Sequence, residues 1–167
     1  LYALRDAQFT LIVAHGDAGM WMQPTVLPDG RLIAVARAQD HADLYALDAN
    51  GHVLSQLTHN LAPPRKDGSL EDNHWSFHPR LSADQSTLYM DFDSPKNGFL
   101  VDFAIWSVPW PQPAAGPSAS PAAHLNNTSP PLPRAKQWSI PNDYTGGDVE
   151  ATPLPGGQLV FVRYLID

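Results

Sequence analysis

The 167-residue chain is 43% hydrophobic and only 16% charged, enough apolar material for one domain with a core, which excludes a disordered tail. Acidic residues outnumber basic ones by 17 to 10 and the basic ones are scattered singly, so there is no counterion-releasing surface and nucleic acid is not an expected partner. The absence of cysteine removes disulfides, thiolate zinc sites and cysteine nucleophiles together, and no run reaches the roughly 18 apolar residues of a membrane span.

Seventeen prolines and 11 glycines predict short extended segments joined by turns, with no long helices. The first two predicted strands are Leu1-Tyr2-Ala3-Leu4-Arg5-Asp6 and Phe9-Thr10-Leu11-Ile12-Val13. They carry neither an initiator methionine nor a signal-peptide pattern, so the chain is expected to be processed, excised or part of a longer one. Four strands with turns between them follow: Pro24-Thr25-Val26-Leu27 up to the turn Pro28-Asp29-Gly30, then Arg31 to Ala36, Asp43 to Leu47 and Val53 to Thr58.

The same order of elements returns in Pro79-Arg80-Leu81, the turn Ala83-Asp84-Gln85, Thr87 to Phe92 and Phe103 to Val108, with a longer second hairpin through Ser94-Pro95-Lys96-Asn97-Gly98. A Pro-, Ala- and Ser-rich insertion from Pro109 to Pro133 is expected to be an exposed loop or linker, and Asn126-Asn127-Thr128-Ser129 within it contains overlapping sequons. A third copy begins at Glu150-Ala151-Thr152-Pro153-Leu154, turns at Pro155-Gly156-Gly157, continues from Gln158 to Tyr164 and stops after two strands. Leu1 to Asp6 matches Leu44 to Asp48, so the missing half of the third copy sits at the other end of the chain.

Tyr2 and Tyr45 are 43 residues apart, close to the roughly 40–45 of a four-stranded propeller blade, while the 61 between Tyr45 and Trp106 are stretched by insertion. The predicted fold is therefore all-β: a partial β-propeller over 1–167, its four-stranded antiparallel blades completed by another chain or segment. Within it, 1–16 is the second half of a blade, 21–60 a blade, 74–128 a blade with the long Pro-rich insertion at 109–133, and 148–167 the first half of a blade. The nearly continuous apolar second strands, such as Leu32-Ile33-Ala34-Val35, should form the core. Tyr2, Tyr45 and Trp106 hold one equivalent position, where a ring can fill the wedge between blades.

The Pro-x-x-x-Pro-Asp-Gly turn, the apolar strand, the Asp-Leu-Tyr-x-Leu-Asp-x-x-Gly hairpin and the closing Gln-Leu-Thr together resemble the TolB-like propeller repeat. The match is strongest over Gln23 to Thr58, weaker over His74 to Val108 and partial over Asp148 to Asp167, where Gly156-Gly157 replaces Asp-Gly. The resemblance implies a propeller that is commonly six-bladed, binding through loops and the channel mouth, and a periplasmic or cell-surface setting. Propellers of this kind occur in bacterial envelope proteins and as gating domains of prolyl-oligopeptidase-like enzymes. Fold alone does not fix function.

Gly-x-Ser-x-Gly, His-Glu-x-x-His and the phosphate-binding glycine-lysine loop are all absent. His74 and His78 share a face of an extended strand but lie about 13 Å apart, too far for one metal. Asp91-Phe92-Asp93 with Asn97-Gly98 imitates a calcium loop, but Pro95 stands where an oxygen ligand should fall. No metal or cofactor is expected. Gln23, His78 and Glu150 are equivalent in the three copies and, if first strands face the channel, converge in one polar cavity.

The expected function is a non-catalytic interaction module or assembly subunit that binds a protein partner or joins a larger complex. The alternatives are a piece of a propeller-gated serine peptidase without its hydrolase domain, or a small-molecule or cation-binding propeller. The amino-terminal strands should complete the third copy's blade, either through a head-to-tail homodimer or as part of a longer parent chain.

Overall fold

The computed structural model describes residues 1–13, 19–61, 73–93, 103–111, 132–139 and 145–165. All regular structure in them is β. No helix is long and apolar enough to cross a membrane among these residues.

Strands β1 (Tyr2–Arg5) and β2 (Gln8–Leu11) form a separate antiparallel hairpin with Tyr2 opposite Leu11. The first blade is an antiparallel meander of β3 (Met20–Val26), β4 (Leu32–Arg37), β5 (Ala42–Leu47) and β6 (Val53–Gln56). Its first turn closes as read from sequence: the Gly30 N–H donates to Leu27 O at 2.9 Å, with Gly30 at φ +86°, a conformation that costs glycine nothing.

The second blade repeats the meander with β7 (Trp75–Leu81), β8 (Thr87–Asp93), β9 (Phe103–Pro109) and β10 (Lys136–Gln137). The third contributes β11 (Thr145–Leu154) and β12 (Gln158–Leu165). Among the described residues consecutive blades share a single parallel strand pair each, Ala42 with Trp75 and Gly147 with Phe103, so the blades fan out and do not merge into one flat sheet. The resulting sheet curls into half a barrel, as partial propeller blades do.

The apolar second strands of the first two blades are the core. Ile33 and Val35 of β4 and Leu88 and Met90 of β8 are fully buried and pack with Leu44, Val108 and Leu132 in one cluster. A smaller cluster of Tyr89, Ile105 and Ala151, with Leu159 against it, ties the second blade to the third.

Three expectations are corrected. The second strand of the third copy is not core: in β12, Val160 is 56% and Val162 42% exposed, and no strand lies on its outer edge among the described residues. Strands β1 and β2 pair with each other and with no other strand among the described residues. The second blade is not finished by residue 128: its fourth strand is Lys136–Gln137, beyond the insertion, with Lys136 opposite Ser107. Leu132, assigned above to an exposed insertion, is buried in the main cluster. The sequons at 126–129, the hairpin segment 94–98 and most of the insertion lie outside the described residues.

Candidate functional site

The three inner strands share one irregularity. In β3, Gln23 and Pro24 both stand opposite Ala34; in β7, His78 and Pro79 oppose Met90; in β11, Glu150 and Ala151 oppose Phe161. Each is a β-bulge, two residues facing one, which bends the strand and re-aims a side chain. The first residue of each bulge is left-handed although none is glycine: φ is +50° at Gln23, +47° at His78 and +58° at Glu150. Such a conformation costs on the order of 1–3 kcal/mol per residue and persists only when the surroundings over-determine it.

The surroundings here are one another. Gln23 Oε1 accepts the His78 backbone N–H at 2.9 Å, and Gln23 Nε2 lies 2.6 Å from His78 Nε2. Flipping the Gln23 amide would set two donors face to face, so its orientation is fixed, and His78 Nε2 must be the acceptor. The His78 proton then sits on Nδ1, which donates to Asp91 Oδ2 at 2.5 Å. Asp91 also accepts the Glu150 N–H on both oxygens, at 3.1 and 3.0 Å. The Glu150 carboxylate stands 3.7 Å from His78 Nε2 and is more than half exposed. The three repeat-equivalent residues are thus brought together across three blades, with Gln23 and His78 saturated by protein contacts and Glu150 left facing solvent.

Asp91, on β8, is the hub, a residue that sequence reading placed in the strand Thr87 to Phe92 and weighed only as part of an imitated calcium loop. It is fully buried, and desolvation pushes its carboxyl above the usual carboxylate range against the opposing pull of the His78 and Glu150 hydrogen bonds. Its signal in the sequence was a lone carboxylate inside an apolar second strand, where the equivalent position of the first blade is Val35. A second buried carboxylate, Asp43, joins the first blade to the second: it accepts Thr58 Oγ1 at 2.7 Å and the Asn60 N–H at 2.9 Å, while Asn60 Nδ2 donates to Ser76 Oγ at 2.8 Å. Burial raises its carboxyl as well. His74 is buried in the same junction, its N–H donating to Asn60 O at 2.9 Å and its Nδ1 2.9 Å from Asp93 O, a structural role.

Beside Gln23 and His78 opens a depression of about 410 Å³ between the first two blades. Met22 and Arg37 come from the first blade; Trp75, Phe77 and Phe103 come from the second. The Trp75 and Phe77 rings stack with centroids 6.0 Å apart, and Phe77 meets Phe103 at 5.7 Å. The exposed Arg37 guanidinium lies 5.7 Å over the Trp75 ring, and among the described residues no carboxylate pairs with it. Among the described residues no three His, Asp or Glu side chains gather as a metal site. Sequence reading missed this depression because its walls come from β3, β4, β7 and β9, strands whose junction no local pattern encodes.

The three aromatic positions fare differently. Tyr45 is half-buried, edge-on to Trp21 at 5.4 Å, and Trp106 packs against the main core, edge-on to Phe92 at 5.9 Å. Tyr2 is 70% exposed and fills no wedge among the described residues, its strand pairing only with β2. Comparison with family models, with curated proteins and with solved structures found no match to this chain.

Proposed function

We propose that this chain is a non-catalytic interaction module of the TolB-like propeller kind, which holds a protein partner at the inner end of its first two blades. The observation that carries the reading is the aromatic depression with the Arg37 guanidinium on its rim, with which no carboxylate pairs among the described residues. Apolar walls with a few convergent polar groups are the usual make-up of a binding pocket, and aromatic rings and arginine are the residues that most often anchor interfaces. The chemistry it suits is an apolar or aromatic side chain next to a carboxylate: the chain inserts between Trp75, Phe77 and Phe103, and the carboxylate meets Arg37. The His78–Asp91 pair supports a holding role over a chemical one, because its Nε2 is taken by the Gln23 amide and not by a hydroxyl nucleophile. An extracytoplasmic setting rests on the repeat resemblance alone.

A random peptide display library selected on the purified protein tests the reading. Expected are peptides with an aromatic or aliphatic residue beside Asp, Glu or a free carboxyl terminus, whose affinity falls at least tenfold on Trp75→Ala and on Arg37→Glu. Peptides indifferent to both substitutions would place binding elsewhere. Substrate turnover abolished by His78→Ala would replace the module with an enzyme.

A further inference from the structure

The aromatic depression lies between two solvent-facing charges of opposite sign. At one end the exposed Arg37 guanidinium stands 5.7 Å over the Trp75 ring; at the other, Glu150 Oε1 lies 3.7 Å from Nε2 of His78, a residue that lines the depression. Trp75 and His78 are three positions apart on β7, so the two ends are separated by roughly 10 Å at the usual strand rise.

Neither charge has a counter-ion among the described residues. No carboxylate pairs with Arg37, and no lysine or arginine pairs with Glu150. The nearest group to the Glu150 carboxylate is itself an acceptor, since His78 Nε2 takes the Gln23 amide proton and carries none of its own. A carboxylate oxygen and a ring lone pair thus face each other with no hydrogen between them, and a cation entering there would relieve the opposition. Between the ends, the Gln23 amide spends one N–H on His78 Nε2 and its oxygen on the His78 backbone N–H. Its second N–H is left for a carbonyl.

A cation, a carbonyl, an apolar side chain and a carboxylate in line are what an extended peptide presents, and about three of its residues cover roughly 10 Å. Resting on the reading of the depression as a binding site, we propose that its occupant is an extended segment of a protein partner with a cationic side chain about three residues from its carboxylate. The cation meets Glu150, the apolar side chain packs on Trp75 and Phe77, and the carboxylate meets Arg37. A segment acidic at both ends is rejected by Glu150, and that repulsion sets specificity as much as the attraction does. Glu150 can take this part because the fold uses its backbone N–H, held by Asp91, and not its carboxylate.

Titration calorimetry of the purified chain tests the proposal with acetyl-Lys-Ala-Phe and acetyl-Glu-Ala-Phe, both with free carboxyl termini. The same pair is read in the opposite chain direction as acetyl-Asp-Phe-Ala-Lys-amide and acetyl-Asp-Phe-Ala-Glu-amide. Expected in one direction is a preference of about fivefold for the lysine peptide at low salt, narrowing as salt screens the pair. Glu150→Gln should bring the two peptides within about twofold of each other, and Glu150→Lys should reverse their order. Trp75→Ala should weaken both alike. Lysine and glutamate peptides that bind equally, yet both lose affinity on Trp75→Ala and Arg37→Glu, would overturn the cation site and leave the depression standing as a binding site. Peptides that do not bind, or bind without regard to Trp75 and Arg37, would overturn both.

Discussion

His78 shows how one side chain can serve three blades. Its ring receives the Gln23 amide from the first and donates to Asp91 in its own, and Asp91 in turn takes the Glu150 N–H of the third. His78→Ala would leave a buried carboxylate with one donor in place of two, at a cost of roughly 1–3 kcal/mol measurable by urea unfolding. Glu150→Gln keeps the backbone N–H that holds Asp91 and changes only a solvent-facing oxygen, so it should move stability by less than about 0.5 kcal/mol. If the two variants proved equally destabilising, the hub would have to be Glu150 and not Asp91. The residue scale thus separates what fastens the blades from what is left to meet a ligand.

Between elements, the blades share few backbone strand pairs, and those pairs must be tight. Among the described residues Gly147 makes the one backbone pairing of β11 with β9, at φ +113°, where an added Cβ would lie 2.7 Å from Phe103 N. Gly147→Ala therefore meets both a disfavoured conformation, on the order of 1–3 kcal/mol, and a backbone clash that only movement of the third blade can relieve. Hydrogen exchange should show β11 and β12 losing protection while β4 and β5 keep theirs. Uniform loss across all blades would mean that they unfold as one unit. The Asp148 carboxylate offers a second fastening within the third blade: burial opposes its charge, but the Arg163 and Ser139 hydrogen bonds outweigh it and hold its carboxyl below the usual range.

At the scale of the whole molecule, the two junction carboxylates Asp43 and Asp91 are raised, mainly by burial, from an ordinary value of 3.8. The folded state therefore binds their protons more tightly than the unfolded state does, and stability falls as pH rises through the folded values. Their contribution is fully present below about pH 3.8 and is lost above it. Melting temperatures of the native chain and of Asp91→Asn, compared across pH 3 to 8, should show the native chain's relative standing decline with rising pH. Asp148 titrates in both proteins and cancels. A difference that grows with pH would mean that the His78 and Glu150 donors, and not desolvation, dominate at Asp91.

Much of this architecture is local and was legible in the residues. Alternating and continuous apolar runs, proline–glycine turns and a 43-residue echo specify four-stranded blades, because strand period and turn chemistry are set by near neighbours. The same echo aligned Gln23, His78 and Glu150, and the fold brings them together. Even the fourth strand of the second blade had a signal: Gln137-Trp138-Ser139 repeats Gln56-Leu57-Thr58, down to the Ser139 and Thr58 hydroxyls accepting the Ile105 and Leu44 N–H groups at 3.0 and 2.9 Å. The Pro-rich insertion hid it by separating the echo from its blade. Tertiary structure alone decided that Asp91 is the hub, that Arg37 stands over Trp75 at the lip of an aromatic depression, and that β12 and Tyr2 are left bare. Each depends on how one blade is set against the next, through single backbone pairs and left-handed bulges at non-glycine residues, and the identities of sequence neighbours do not encode that setting.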